Sequence, residues 1–222
     1  SSMFANGAQT FMEVARYCRD HGKLLILDFC FAAFIKTAGG NRVDAYAILD
    51  EIGTQYIIME DTGKTWPLQD TKCATIMSSR ALNADIYSIV TSVLLNVSPF
   101  ILNVVTQYIN DSSDDDFESV RSVLDINREA AQKHLHGNFL KYLTPMIETS
   151  VAWFEILRDG VSADDLQAYL MNYDVYVLPG KYFFWSKPQT GQKYIRLALA
   201  RKPEEFKLAV ETIAVALENY HE

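Results

Sequence analysis

Two short apolar runs, each released into polar residues, constrain the fold more than any other feature of this chain. The first is Lys23-Leu24-Leu25-Ile26-Leu27-Asp28, preceded by Gly22; the second is Tyr56-Ile57-Ile58-Met59, followed by Glu60-Asp61-Thr62-Gly63-Lys64. Runs this short between turn formers read as strands, and the unbroken apolar character of the first predicts burial on both faces in a parallel sheet. Ahead of it, Phe11, Val14, Ala15 and Cys18 recur at helical spacing over residues 9–21, with Gly22 as the stop. Helix and strand therefore alternate, which is the pattern of an α/β domain, and such domains gather ligands outside the carboxyl ends of their strands. Asp28 and Lys64 stand on that edge.

Farther along, residues 84–110 have a helical pattern broken at Pro99, and the acidic run 111–116 reads as flexible punctuation and a domain boundary. Residues 117–143 predict one long helix bridging two domains. Residues 150–157, 175–180 and 194–199 read as strands. Ser162 and Asp165 form a capping-box-like start for one helix, and Pro203 opens a last one with Phe206, Val210, Ile213 and Leu217 in a stripe. The expected organisation is residues 1–3 as a cloning scar, 4–116 as an α/β domain with a mostly parallel sheet, and 117–222 as the bridging helix and a small α+β domain.

Composition narrows the function classes. With 49% hydrophobic residues in 222 the chain has material for a core, and a net charge of −8 disfavours nucleic acid and anionic membrane as partners. The most apolar stretch, residues 86–105, is interrupted by polar residues and Pro99, so no membrane span is expected. Cys18, Cys30 and Cys73 lack metal-type spacing and read as buried free thiols in a reducing, cytoplasmic setting. No metal site is expected: His134 and His136, two apart on a helix, point in different directions and read as a solvated helix end. Gly63-Lys64-Thr65 has the tail of a phosphate-binding P-loop, but Ile58 stands where that loop requires glycine. Glu60 and Asp61 read as loop solvation.

Asp28, Lys64 and Arg196, with Lys72 close in sequence to Lys64, remain as the constellation that could carry chemistry. A strand-end lysine or aspartate also serves as a surface or turn residue. Arg196 is more unusual, because an arginine inside an apolar strand needs an anionic partner if it is buried.

The series Leu25-Ile26-Leu27-Asp28-Phe29-Cys30-Phe31, Asp61-Thr62-Gly63-Lys64-Thr65, Val177-Leu178-Pro179-Gly180 with Tyr182-Phe183, and Tyr194-Ile195-Arg196-Leu197-Ala198 resembles the second half of a class I/II aminotransferase, a fold-type I enzyme dependent on pyridoxal 5′-phosphate (PLP). Order and spacing agree, with 64 − 28 = 36 residues from Asp to Lys and 196 − 64 = 132 from Lys to Arg. The resemblance implies a PLP-binding large domain followed by a small domain. Lys64 would carry PLP as a Schiff base and afterwards move the substrate α-proton. Asp28 would pair with the pyridine nitrogen, and Arg196 would grip the substrate carboxylate.

Three positions depart from the family pattern. Phe31 stands where a tyrosine usually contacts the PLP phenolic oxygen, Lys72 replaces an arginine on the phosphate, and Asp61 replaces a serine and would repel a phosphate unless turned away or protonated. The glycine loop and stacking ring of the family's first half have no match, and Asn6-Gly7 is the one trace of its Asn-Pro-x-Gly turn. The implied activity is amino-group transfer between an amino acid and a 2-oxo acid by a homodimer, the present chain being an inactive C-terminal piece. Decarboxylation, elimination, oxidation or a non-catalytic binding module are the alternatives.

Overall fold

The computed structural model describes residues 4, 8–31, 43–66, 68, 70–147 and 149–220. The expected scar at 1–3 and Asn6-Gly7 lie outside them. Contacts divide the chain into two compact units, Ser1–Val120 and Arg121–Glu222.

In the first unit, Phe11, Ala15 and Cys18 form the buried stripe of α1 (Gln9–Asp20), and Gly22, at φ +59°, turns the chain out of it. Then β1 (Leu25–Asp28) pairs in parallel with β2 (Tyr56–Asp61), placing Leu25 opposite Tyr56 and Asp28 opposite Met59. Between them α2 (Ala45–Ile52) starts at Asp44, whose carboxylate accepts the Ala47 N–H. A third strand, β3 (Ala74–Ser78), runs antiparallel to β2 and has no counterpart among the expected elements. β1 is not buried on both faces as its composition suggested. Leu27 is buried with Tyr56 and Ile58, whereas Ile26, Met59 and Ile76, on the opposite face, are exposed, so the described residues cover one face of β1 and β2 only.

Pro99 separates α3 (Asn83–Leu94) from α4 (Pro99–Asp114), as the sequence predicted. The acidic run is not loose punctuation, because α4 continues through Asp114 and buries Ser112, whose hydroxyl accepts the Trp66 indole N–H at 2.8 Å. The helix expected over 117–143 is shorter: α5 is Glu118–Leu135, and Leu140–Leu143 is a strand, β4. The reversal is fixed by His136, whose Nδ1 accepts the Tyr142 N–H at 3.1 Å, and by the Gly137 N–H donating to the Leu140 carbonyl.

The second unit is a four-stranded antiparallel sheet in the order β4-β5-β7-β6, with β5 Val151–Ile156, β6 Leu178–Pro179 and β7 Tyr194–Ala198. Ala152, Phe154, Ile195 and Leu197 are buried on one face. The buried stripes of α5, α6 (Ala163–Met171) and α8 (Pro203–Glu218) supply Leu124, Leu166, Leu170, Phe206, Val210 and Ile213 to this core. The capping box is present, Ser162 and Asp165 exchanging side-chain and backbone hydrogen bonds. The strand expected over 175–180 is only two residues long; Pro179 offers no N–H, and the chain coils at once into a 3₁₀ turn, Gly180–Phe183. A short helix, α7 (Pro188–Gly191), follows.

Candidate functional site

Parallel pairing of β1 and β2 brings their carboxyl ends side by side, and each end turns immediately. After β1, the Asp28 carboxylate accepts the Cys30 N–H at 3.2 Å, closing an Asx-type turn. The Cys30 thiol also bonds this carboxylate, and these two bonds, with the positive charge of Lys64 adding to them against a smaller burial effect, hold Asp28 below the ordinary carboxylate range. Burial pushes the Cys30 thiol up to about 11, with the bond and charge of Asp28 and the charge of Asp61 acting in the same direction, so it stays protonated and able to donate near neutral pH. Phe31 follows in the turn, half-buried.

After β2, the chain makes a 3₁₀ turn, Thr62–Lys64, capped by Asp61, whose carboxylate accepts the Gly63 N–H at 2.6 Å. Thr62 pins this turn to the strand that follows: its N–H and hydroxyl both donate to the Cys73 carbonyl, at 3.0 and 3.1 Å, and the hydroxyl accepts the Cys73 N–H at 2.9 Å. Lys72 is thereby drawn beside Gly63, where a Cβ would lie 3.2 Å from the Lys72 side chain and 3.0 Å from the Asp61 carboxylate. Lys64 is exposed. One sheet edge thus gathers an ionised carboxylate, two ammonium groups and a turn whose central glycine is crowded by the Asp61 and Lys72 side chains. An ionised carboxylate can stabilise a protonated ring nitrogen, an amine can form a covalent bond to an aldehyde, and a second ammonium can neutralise phosphate. Asp61, expected to repel a phosphate unless turned away, spends one oxygen on the turn itself.

Glu60 is not merely solvated. It is half-buried and accepts the Tyr46 hydroxyl of α2, and burial together with Glu60 raises that phenol well above its ordinary value. Both line a cavity of about 300 Å³ in the first unit with Phe29, Cys30, Trp66 and Phe117 among its walls.

Arg196 belongs to the second unit, on β7 opposite Trp153 of β5 and Leu178 of β6. It is half-buried, its guanidinium carbon 4.4 Å from the centre of the Phe183 ring, and burial lowers its pKa from the usual value. Among the described residues no carboxylate lies within ion-pair distance of it. His134 Nε2 lies 3.8 Å from Glu211, while His136 accepts a backbone N–H, so the two histidines have separate partners.

The sequence suggests buried free thiols at Cys18, Cys30 and Cys73; all three are free, but of them only Cys18 is buried, and Cys30 and Cys73 are half-exposed. Sequence reasoning assigned no role to Thr62, Phe183 or Trp153. The only sequence signal for Cys30 was its position two residues past Asp28. Among the described residues, no helix is long and apolar enough to cross a membrane, and no cluster of three His, Cys, Asp or Glu side chains could hold a metal ion.

The α/β fold is that of fold-type I PLP-dependent enzymes, as solved structures show. A structure of MppP soaked with the product 2-ketoarginine superposes with a TM-score of 0.85 at 28% identity, covering 95% of this chain and 58% of that one. LysN, an α-aminoadipate aminotransferase from Thermus thermophilus, gives 0.74 at 16% identity, covering 93% and 53%. A probable N-succinyldiaminopimelate aminotransferase from a second strain of Thermus thermophilus gives 0.74 at 20%, with the same coverage. The chain belongs to the aminotransferase class I and II family, whose model matches residues 7–213. Comparison with curated proteins gives no significant match. The cofactor of the family is PLP, and the chain spans a little over half the length of the solved structures it matches.

Proposed function

We propose that the protein transfers an amino group between an amino acid and a 2-oxo acid, using PLP held at the β1–β2 edge. The supporting observation is that the Asp28 carboxylate, held below its usual pKa by its Cys30 hydrogen bonds, and the accessible amine of Lys64 stand after the ends of adjacent parallel strands. Bound PLP supplies an electron-withdrawing ring that acidifies the substrate α-carbon. Asp28 holds negative charge for the ring nitrogen. Lys64 Nζ makes the covalent attachment and, once released by substrate, accepts the α-proton and returns it. Lys72, packed beside Gly63, neutralises phosphate as a point charge, and Phe31 leaves the phenolic oxygen without the usual hydroxyl donor. Arg196 takes the substrate carboxylate through two N–H groups. Assembly as a homodimer in the cytoplasm is part of this reading; free cysteines and the family likeness support it.

Reductive trapping tests the reading directly. Borohydride treatment of the protein with excess PLP is expected to fix the label on Lys64 in peptide maps, with little on other lysines; label spread evenly over surface lysines would overturn the assignment. Arginine is the first donor to try, because the MppP structure was soaked with 2-ketoarginine, the 2-oxo acid of arginine. A 2-oxo acid is the product of transfer and of oxidation alike, so oxidation of the amino acid is the second reading. Formation of 2-oxo acid with dioxygen uptake and no consumption of an amino acceptor would replace transfer by oxidation.

A further inference from the structure

The aromatic pair behind Arg196 is the least explained part of the second unit. Phe183 is 43% exposed. It meets the Arg196 guanidinium at 4.4 Å on one side and the Trp153 ring edge-on at 5.2 Å and 83° on another. Trp153 is also the cross-strand neighbour of Arg196, so the three side chains form one cluster on the half-exposed face of the sheet.

Phe183 is held firmly. It closes the turn Gly180–Phe183, and the backbone there approaches α7 so tightly that a Cβ on Gly180 would lie 2.6 Å from the Gly191 carbonyl oxygen, and one on Gly191 2.6 Å from Lys181 N and Cα. Lys181 Nζ donates to the Asp164 carboxylate at 2.7 Å, and Gln192 Nε2 donates to the same oxygen at 2.6 Å, tying both ends of the segment to the start of α6. Arg196, on an internal strand, is equally fixed.

A ring attracts a guanidinium without using any of its five N–H donors. It therefore restrains a long, flexible side chain and leaves its fork open to an incoming carboxylate, lowering the ordering cost of binding. An acidic partner in the same place would have occupied the fork. We propose that Phe183, backed by Trp153, is a positioning residue that holds the Arg196 fork ready for the α-carboxylate of an amino or 2-oxo acid. This rests on the reading of Arg196 as the carboxylate anchor.

The test is NMR of the arginine Nε–H groups in the full chain with saturating PLP, titrated with pyruvate, the Arg196 signal being assigned by its loss in Arg196→Lys and the pyruvate affinity being read in every variant from the broadening of the pyruvate methyl resonance. In the wild type this signal is expected upfield of the other arginines because of the ring current, and to shift saturably with pyruvate. Phe183→Leu should abolish the upfield position and weaken pyruvate about two- to fivefold, the range set by one partly exposed cation–π contact, while Phe183→Tyr retains both. Unchanged pyruvate affinity in Phe183→Leu, with binding lost in Arg196→Lys, would overturn the role of Phe183 and leave the anchor standing. Wild-type affinity in Arg196→Lys, or no saturable shift in the wild type, would overturn the anchor itself. Should the leucine variant fail to fold, the wild-type shift still decides: an Arg196 Nε–H without ring-current displacement removes the stacked arrangement on which the proposal depends.

Discussion

Replacing Thr62 by valine asks whether one hydroxyl holds the turn that presents Lys64 and Lys72. Thr62 is 8% exposed, and its hydroxyl both accepts the Cys73 N–H at 2.9 Å and donates to the Cys73 carbonyl at 3.1 Å. Valine keeps the shape and the Thr62 N–H bond to that carbonyl, so the carbonyl stays satisfied. The Cys73 N–H loses its hydroxyl acceptor. A lost hydrogen bond costs about 1 kcal/mol and a stranded buried donor about 1–3 kcal/mol. Cys73 is half-exposed, so water recovers part of the second amount, and the expected destabilisation is about 1.5–2 kcal/mol. Urea unfolding of the full chain measures it. Thr62→Ser is the control: it keeps the hydroxyl and loses one methyl, for about 0.8 kcal/mol. Loosening the turn also misplaces the amine, so reductive trapping of PLP on Lys64 should fall in Thr62→Val and not in Thr62→Ser. A destabilisation below about 0.5 kcal/mol, within the range of an ordinary surface change, together with wild-type trapping, would refute the argument that Thr62 fixes the lysines.

Two further outcomes probe the second unit. Gly191→Ala places a methyl 2.6 Å from Lys181 backbone atoms that cannot swing aside, so it should cost about 2–3 kcal/mol in thermal or urea unfolding; Gly160→Ala, at φ +79° with open space around it, should cost about 1 kcal/mol from strain alone. For Asp164, the Lys181 bond and then the Gln192 bond hold the carboxyl below its usual 3.8, so the stability it contributes is present above that value and is lost as pH falls through the folded-state value. The melting-temperature gap between wild type and Asp164→Asn should therefore be largest near neutral pH and shrink below about pH 4, and a gap unchanged in acid would show that the ionised form is not what matters.

Much of the local structure was legible because its causes are local. The stripe of α1, the stop at Gly22, the break at Pro99, the capping box at Ser162 and the proline start of α8 each depend on a few neighbouring residues, and each is present. The misreadings share a different cause. The apolar pattern of α5 was followed past Leu135 because the signal for β4 is its pairing with β5, which lies beyond a reversal and a loop. The acidic run was read as loose because the burial of Ser112 depends on Trp66, 46 residues away. β1 was expected to be covered on both faces because an apolar run does not encode how many of its faces meet a helix.

The sequence by itself determined the placing of Asp28, Lys64 and Arg196 after or within apolar runs, since residue type and spacing carry that information. It could not determine what surrounds them. That Cys30 bonds the Asp28 carboxylate and lowers its pKa, that Thr62 pins the Lys64 turn to Cys73 beside Lys72, and that the Phe183 ring lies against the Arg196 guanidinium were decided only by the tertiary structure. The physical reason is range. A turn forms from its own few residues, whereas the ionisation and orientation of a side chain depend on desolvation, hydrogen bonds and charges from segments that only folding brings within a few ångströms.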